Sequence, residues 1–344
     1  MTVADLATIA KAMVAPGRGI LAADESPRTI EQRFGTIGIP STPDTRRDYR
    51  ELLFRATGPM SKHISGVILY DETIRQHAAD GTPLVKLIEA AGSLPGIKAD
   101  IGTTPLPFFP GEVVTSGLDG LGDRLTEYRA LGARFAKWRA IVSIGAGLPS
   151  MAAIDANAHA LARYAAIAQD AGLVPIVEPE VLMEGDHDID RCAEVSEAYL
   201  TRVYQELVAA RVALEATVLK PSMVIPGAKA TKLASPAEVA VKTVRALKRA
   251  VPSTVPGIAF LSGGQSDDDA TARLDAMNRL GPVPWRLTFS FSRALVLAPL
   301  RIWAGRPENV AAAQRAFAER AELNALASLG KLETRAGASE AARA

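Results

Sequence analysis

The sequence predicts an α/β fold, specifically a (β/α)8 barrel of the TIM type, from three observations. Eight apolar runs of strand length recur along the 344 residues, with helical periodicity between them. Several, such as Gly66-Val-Ile-Leu-Tyr70, are almost continuously apolar, as strands buried on both faces of a parallel sheet must be. Charged residues are absent from the run interiors and collect at their ends: Asp24, Lys98, Lys137 with Arg139, Glu178 with Glu180, Lys220, and Arg293. In a parallel barrel those ends meet on one face, so the pattern describes an active site. No Gly-rich dinucleotide fingerprint follows the first run, which weighs against an open doubly wound sheet.

In order, the expected strands are residues 19–25, 65–72, 96–102, 135–143, 174–181, 216–223, 257–264 and 286–293. Between them the helices carry their own boundary signals. Ser235-Pro-Ala-Glu238 reads as a capping box with proline at the first helical position, and Pro252 stops the run that follows. Ser266 followed by Asp267, Asp268 and Asp269 starts another helix, the acids facing the positive end of its dipole. Leu121, Leu125, Tyr128 and Leu131 share one apolar helix face, and residues 104–110, with three prolines, read as a loop. No composition shift marks a domain boundary, so residues 1–329 form one barrel domain with an N-terminal helix. From Gly330 to Ala344 apolar periodicity ends and a mobile tail is expected.

Composition excludes several classes of function. The net charge is +1, so no global field steers the chain to nucleic acid or an anionic membrane. Cys192 is the single cysteine, which excludes an intrachain disulfide framework and fits a cytoplasmic setting. The start lacks a basic region and an apolar core of a secretory signal, and residues 294–300 are too few to span a bilayer. With four histidines and one cysteine, a soft metal site is poorly supplied.

Lys220 ends the apolar run Ala216-Thr-Val-Leu just before Pro221. An amine must lose its proton to attack a carbonyl, and an apolar approach together with neighbouring cations such as Lys137 disfavours the charged form. A neutral amine and a ketone give a Schiff base, whose iminium withdraws electrons from the adjacent carbon–carbon bond. Glu178 and Glu180, two apart on one strand, point the same way and supply the acid and base that imine formation needs. Two adjacent carboxyls are also expected to hold one another's titration apart. After the seventh and eighth strands, Leu261-Ser-Gly-Gly-Gln-Ser266 and Phe289-Ser-Phe-Ser-Arg293 read as phosphate loops. Gly263 and Gly264 permit close backbone approach to an anion beside Ser262, and Arg293 offers a planar fork. Lys98, Lys137, Arg139 and Arg33, with Ser26, form a second cationic group, so the substrate is expected to carry phosphate at both ends.

These residues lie in motifs that resemble the class I, lysine-dependent fructose-bisphosphate aldolases. The resemblance runs from about residue 19 to 330 and includes GILAADES (19–26), GVILYDET (66–73), FAKWR (135–139), VPIVEPE (174–180), LKP (219–221), FLSGGQS (260–266) and LTFSFSRAL (287–295). It implies an α/β barrel assembled as a homotetramer, phosphorylated sugar substrates, and no cofactor or metal, since the iminium withdraws the electrons. By the resemblance Lys220 forms the Schiff base, Glu178 with Glu180 beside it is the acid and base, and Asp24 takes the hydroxyl proton. Lys137 orients the substrate and stabilises charge. Ser262, Gly263 and Arg293 hold the ketose-side phosphate; Lys98, Arg139, Arg33 and Ser26 surround the other.

The chain departs from the family in places. Pro27-Arg-Thr29 stands where the family usually has Thr-Gly-Ser, altering the far phosphate site. Ile101 replaces a frequent lysine, Ser222 an asparagine and Ser292 a glycine. Animal members end in a tyrosine credited with proton exchange on the enamine, whereas no tyrosine follows Tyr204 here. The expected reaction is reversible cleavage of fructose 1,6-bisphosphate. The readings set beside it are another ketose phosphate as substrate, a non-catalytic scaffold, and a metal-dependent aldolase.

Overall fold

The computed structural model describes residues 1–332. Eight parallel strands close into a barrel in sequence order: Gly19–Ala23, Ile64–Leu69, Leu94–Lys98, Phe135–Val142, Val174–Val181, Val218–Leu219, Gly257–Phe260 and Arg286–Phe291. The first strand closes the ring on the eighth, with Ile20 opposite Ser290 and Leu21 opposite Phe291. All eight expected runs form strands, but most end sooner than expected. The sixth is reduced to Val218 and Leu219, because Pro221 has no N–H to continue the ladder. Asp24, Lys98, Lys220 and Arg293 stand at or just past strand ends as expected. Lys137 and Arg139, however, lie inside Phe135–Val142, and Glu178 and Glu180 inside Val174–Val181, because these two strands run on past the charges.

Apolar side chains fill the lower barrel. Ile20, Ala22, Ile68, Phe135, Val174, Ile176, Val218 and Ala259 form one buried cluster with Leu6, Ala10 and Met13 of the N-terminal helix Val3–Met13. That helix closes the floor. Thr2 caps it in a reciprocal capping box with Asp5. Phe135 occupies the space that glycines leave on two neighbouring strands: a Cβ at Gly96 would stand 2.2 Å from its ring, and one at Gly66 would stand 2.9 Å away. A larger cluster lies between the strands and the surrounding helices, and includes Phe34, Tyr49, Trp138, Tyr164 and Tyr199. With the floor sealed, the carboxyl-end face is left to hold polar groups.

Several local expectations change. Residues 104–110 are not a plain loop: Thr103–Pro105 and Val113–Thr115 pair as a small antiparallel hairpin. Leu131 leaves the apolar face of helix Leu121–Ala130, which ends before it; Leu121, Leu125 and Tyr128 are buried, while Leu131 is 37% exposed. Ser235 caps helix Pro236–Ala250 by accepting from Glu238 N at 3.2 Å, but the reciprocal bond of a capping box does not form. Of the tail expected from residue 330, positions 333–344 lie outside the described residues. The first part is tied down: Leu332 N donates to Asp275 Oδ1 at 2.9 Å. None of the described helices is long and apolar enough to cross a membrane.

Candidate active site

At the carboxyl ends of the strands lies a cleft of about 640 Å³. Lys220, Lys137, Glu178, Glu180 and Asp24 line it, as do Ser262, Gly263 and Arg293 on one flank and Lys98, Arg139, Arg33 and Ser26 on others. Of the candidate catalytic and phosphate-binding residues named from the sequence, only Gly264 does not reach its wall.

Lys220 is held from both chain directions. Its N–H donates to Val177 O at 2.8 Å, and Pro221 O accepts from Leu261 N at 3.2 Å. The amine points inward, is only 4% exposed, and stands 3.0 Å from Glu178 Oε1. Ser222 fastens the neighbouring strand: its Oγ accepts from Val181 N and donates to Val181 O, each at 3.0 Å. The Ser222 hydroxyl thus ties the segment after Lys220 to the strand that carries Glu178.

Alternation along the fourth strand turns Phe135, Lys137 and Arg139 to the same face. Strand register then sets Lys137 beside Lys98 and Arg139 beside Glu178. Lys137 Nζ meets Asp24 Oδ2 at 2.8 Å, Glu178 Oε2 at 3.2 Å and Asp100 Oδ2 at 3.9 Å. Burial alone would lower the ammonium's affinity for its proton, but attraction to Asp24, Glu178 and Asp100 raises its pKa well above the usual lysine range. Burial pushes the Asp24 carboxyl up, yet Lys137, Lys220 and Lys98 together draw it far below the carboxylate range. Lys137 is therefore a fixed cation and Asp24 a fixed anion at neutral pH.

Two expectations about pairs are corrected by this geometry. Lys137 does not face Lys220 directly, because Glu178 stands between them with one oxygen toward each. Glu178 and Glu180 are not a coupled carboxyl dyad: Glu180 turns to the Arg139 guanidinium while Glu178 turns to the lysines.

The flank after the seventh and eighth strands is built from backbone. Gly263 and Gly264 both adopt left-handed conformations, with φ +51° and +83°. A Cβ at Gly264 would stand 2.8 Å from Met183 Sδ, so this glycine shapes the turn from behind. Ser292 precedes helix Arg293–Trp303 and makes no side-chain cap, while its carbonyl accepts from Leu295 N at 2.9 Å and Val296 N at 3.1 Å. The sequence pattern did not mark this helix start, since no capping motif announces it. Helix Asp267–Arg279, by contrast, is capped by Ser266 as expected.

On the opposite flank each expected cation has an anionic partner. Lys98 Nζ lies 2.6 Å from Asp100 Oδ1, and Arg33 pairs with Glu25 while donating to Ser292 Oγ at 3.1 Å. That last bond sets Arg33 toward the Arg293 side. Ser26 Oγ accepts from Thr29 N at 3.3 Å at the start of helix Pro27–Gly35. Sequence reasoning missed Asp100 and Glu25, which neutralise these cations. Each lies one or two residues past a strand-end charge already noted, and that adjacency was the available signal. It also missed Arg50, which is 1% exposed and donates to Glu25 O at 3.0 Å and Ala23 O at 3.3 Å, bracketing Asp24. Among the described residues no group of three or more His, Cys, Asp and Glu is placed to hold a metal ion.

A family model described as fructose-bisphosphate aldolase class-I matches residues 5–344. The chain belongs to the class I fructose-bisphosphate aldolase family. A probable fructose-bisphosphate aldolase class 1 of Xanthomonas campestris is 54% identical over 332 residues, which is 96% of this chain and 99% of the relative. Fructose-bisphosphate aldolase 6, cytosolic, of Arabidopsis thaliana is 53% identical over 316 residues, covering 92% of this chain and 88% of that one. Among solved structures, fructose-bisphosphate aldolase from Plasmodium falciparum, in complex with TRAP and a small-molecule inhibitor, superposes with TM-score 0.95. It is 46% identical, and the match covers 96% of this chain and 95% of that one. The aldolase family and the barrel expected from the strand pattern agree.

Proposed function

We propose that the protein cleaves fructose 1,6-bisphosphate reversibly into dihydroxyacetone phosphate and glyceraldehyde 3-phosphate through a Schiff base on Lys220. Membership of the aldolase family supports the reaction and its phosphorylated-sugar substrates. One observation carries the residue roles: the unbroken series Lys220–Glu178–Lys137–Asp24, linked by contacts of 3.0, 3.2 and 2.8 Å within the cleft.

Lys220 Nζ attacks the C2 carbonyl of the ketose. Glu178, on the amine, takes the proton that nitrogen loses and returns one to the departing hydroxyl, so that water leaves and an iminium remains. Lys137, held cationic, stabilises the oxygen of the carbinolamine and orients the sugar. Asp24 takes the proton of the C4 hydroxyl, the C3–C4 electron pair moves to the iminium as an enamine, and the aldehyde half departs. Protonation of C3 by water or another group restores the iminium. Water then releases dihydroxyacetone phosphate and frees Lys220.

Ser262, Gly263 and Arg293 receive the ketose-side phosphate in this reading, and Lys98, Arg139 and Ser26 stand near the other, with Arg33 bridging toward Ser292. Glu180 steadies Arg139, and Gly264 serves the phosphate loop as a turn residue. No cofactor enters the reaction. Residues 1–329 act as one barrel domain, and the chain works in the cytoplasm as a homotetramer, which light scattering of the purified protein tests. The decisive experiment for the chemistry is borohydride reduction with dihydroxyacetone phosphate followed by peptide mapping. The adduct is expected on the peptide containing Lys220; label on any other lysine removes the assignment.

A further inference from the structure

Eight basic side chains line the cleft, and most already have partners. Lys220 and Lys137 face Glu178 and Asp24, Lys98 faces Asp100, Arg139 faces Glu180 and Arg33 faces Glu25. Arg124 donates to the carbonyls of Ala99 and Gly117. Among the described residues, Arg28 and Arg293 alone of the eight make no side-chain hydrogen bond or ion pair.

A guanidinium paired with a carboxylate has its charge offset and part of its donor fork occupied. A phosphate arriving there must displace a partner or share it. An unpaired guanidinium offers its full charge and all five N–H donors. Arg293 plays that part on the flank of the phosphate loops. Arg28 belongs to the other flank: it is the second residue of helix Pro27–Gly35, directly after Ser26. It is exposed and lines the cleft.

We infer that Arg28 is the specificity-determining cation for the second phosphate, favouring a ketose phosphorylated at both ends over one phosphorylated only beside the carbonyl. The inference rests on the aldolase reading above and names what sets its substrate class. The lysine and arginines deeper on that flank position the cleft wall, while Arg28 supplies the charge not already offset.

The test compares kcat/KM for fructose 1,6-bisphosphate with that for fructose 1-phosphate in the unaltered protein, Arg28→Ala and Arg28→Lys. In Arg28→Ala the ratio should fall about tenfold, through KM for the bisphosphate rather than through kcat. Arg28→Lys, which keeps the charge and loses the fork, should recover part of it. The preference of the unaltered protein should shrink with added salt, and that salt response should be flatter in Arg28→Ala. An unchanged ratio, or a kcat loss shared by both ketoses, overturns the role of Arg28 and leaves the aldolase reading standing. Failure of the unaltered protein to cleave either ketose overturns the aldolase reading itself.

Discussion

Glu178 presents one carboxylate oxygen 3.0 Å from Lys220 Nζ and the other 3.2 Å from Lys137 Nζ. One carboxylate thereby serves the nucleophile and the fixed cation together. The two lysines come from the sixth and fourth strands, and Glu178 from the fifth strand between them. Barrel order, rather than any local motif, creates the bridge.

Replacing Glu178 by Gln keeps the volume and the contacts with both lysines but removes the ability to carry a proton. Turnover should fall by roughly 10²- to 10⁴-fold, and borohydride trapping on Lys220 should slow in parallel. A Glu178→Gln protein with turnover within a few-fold of the original would assign the proton transfers to another group.

Lys137→Met leaves the Asp24 and Glu178 carboxylates buried without their shared cation. Removing one partner from a buried charge cluster costs about 3–5 kcal/mol, which should appear as a lower midpoint in urea unfolding. The double variant Asp24→Asn with Lys137→Met should be more stable than Lys137→Met alone, because one stranded charge is gone. Additive losses in the two variants would contradict the pairing.

The same pair sets a pH window for stability. Asp24 is drawn below its ordinary value of 3.8, so its contribution is complete above that pH and is lost as pH falls through the depressed folded value. Lys137 is raised above its ordinary 10.5, so its contribution is complete below that pH and is lost as pH rises through the folded value. Thermal unfolding followed from neutrality into acid should therefore show a steeper decline below about pH 4 in the original than in Asp24→Asn. Parallel declines in both proteins would mean that Asp24 is not the group responsible.

The barrel floor gives a test independent of the chemistry. A Cβ at Gly96 would stand 2.2 Å from the Phe135 ring, too close for any rotamer to relieve without moving the ring. Gly96→Ala should destabilise by about 1–3 kcal/mol through overpacking. Adding Phe135→Leu should restore part of the loss, since the smaller side chain makes room. A neutral Gly96→Ala would show that the floor is less tightly filled than this geometry requires.

Much of the fold was legible because strand burial leaves a direct trace in composition. Val174–Val181 appears in the structure with the bounds its apolar run suggested, since both faces of that strand are covered. Leu131 was misread for a comparable reason: helical periodicity records which residues share a face but not where the helix stops. The site was legible to a similar depth. Charges set in otherwise apolar runs identified Lys137 and Glu178. Asp100 and Glu25 were signalled only by their adjacency to Lys98 and Asp24, and Arg50, on a helix away from the strands, had no signal in its spacing.

By itself the sequence determined the barrel, the face that bears the chemistry, and the residues that reach it, because alternation and apolar runs are properties of each strand alone. Only the tertiary structure decided who partners whom: Glu178 between Lys220 and Lys137, Glu180 with Arg139, Arg33 with Glu25, and Arg28 with none among the described residues. Ion pairing depends on distances of a few ångströms between groups far apart in the chain. Those distances are set by barrel closure and strand register, which no single stretch of sequence contains.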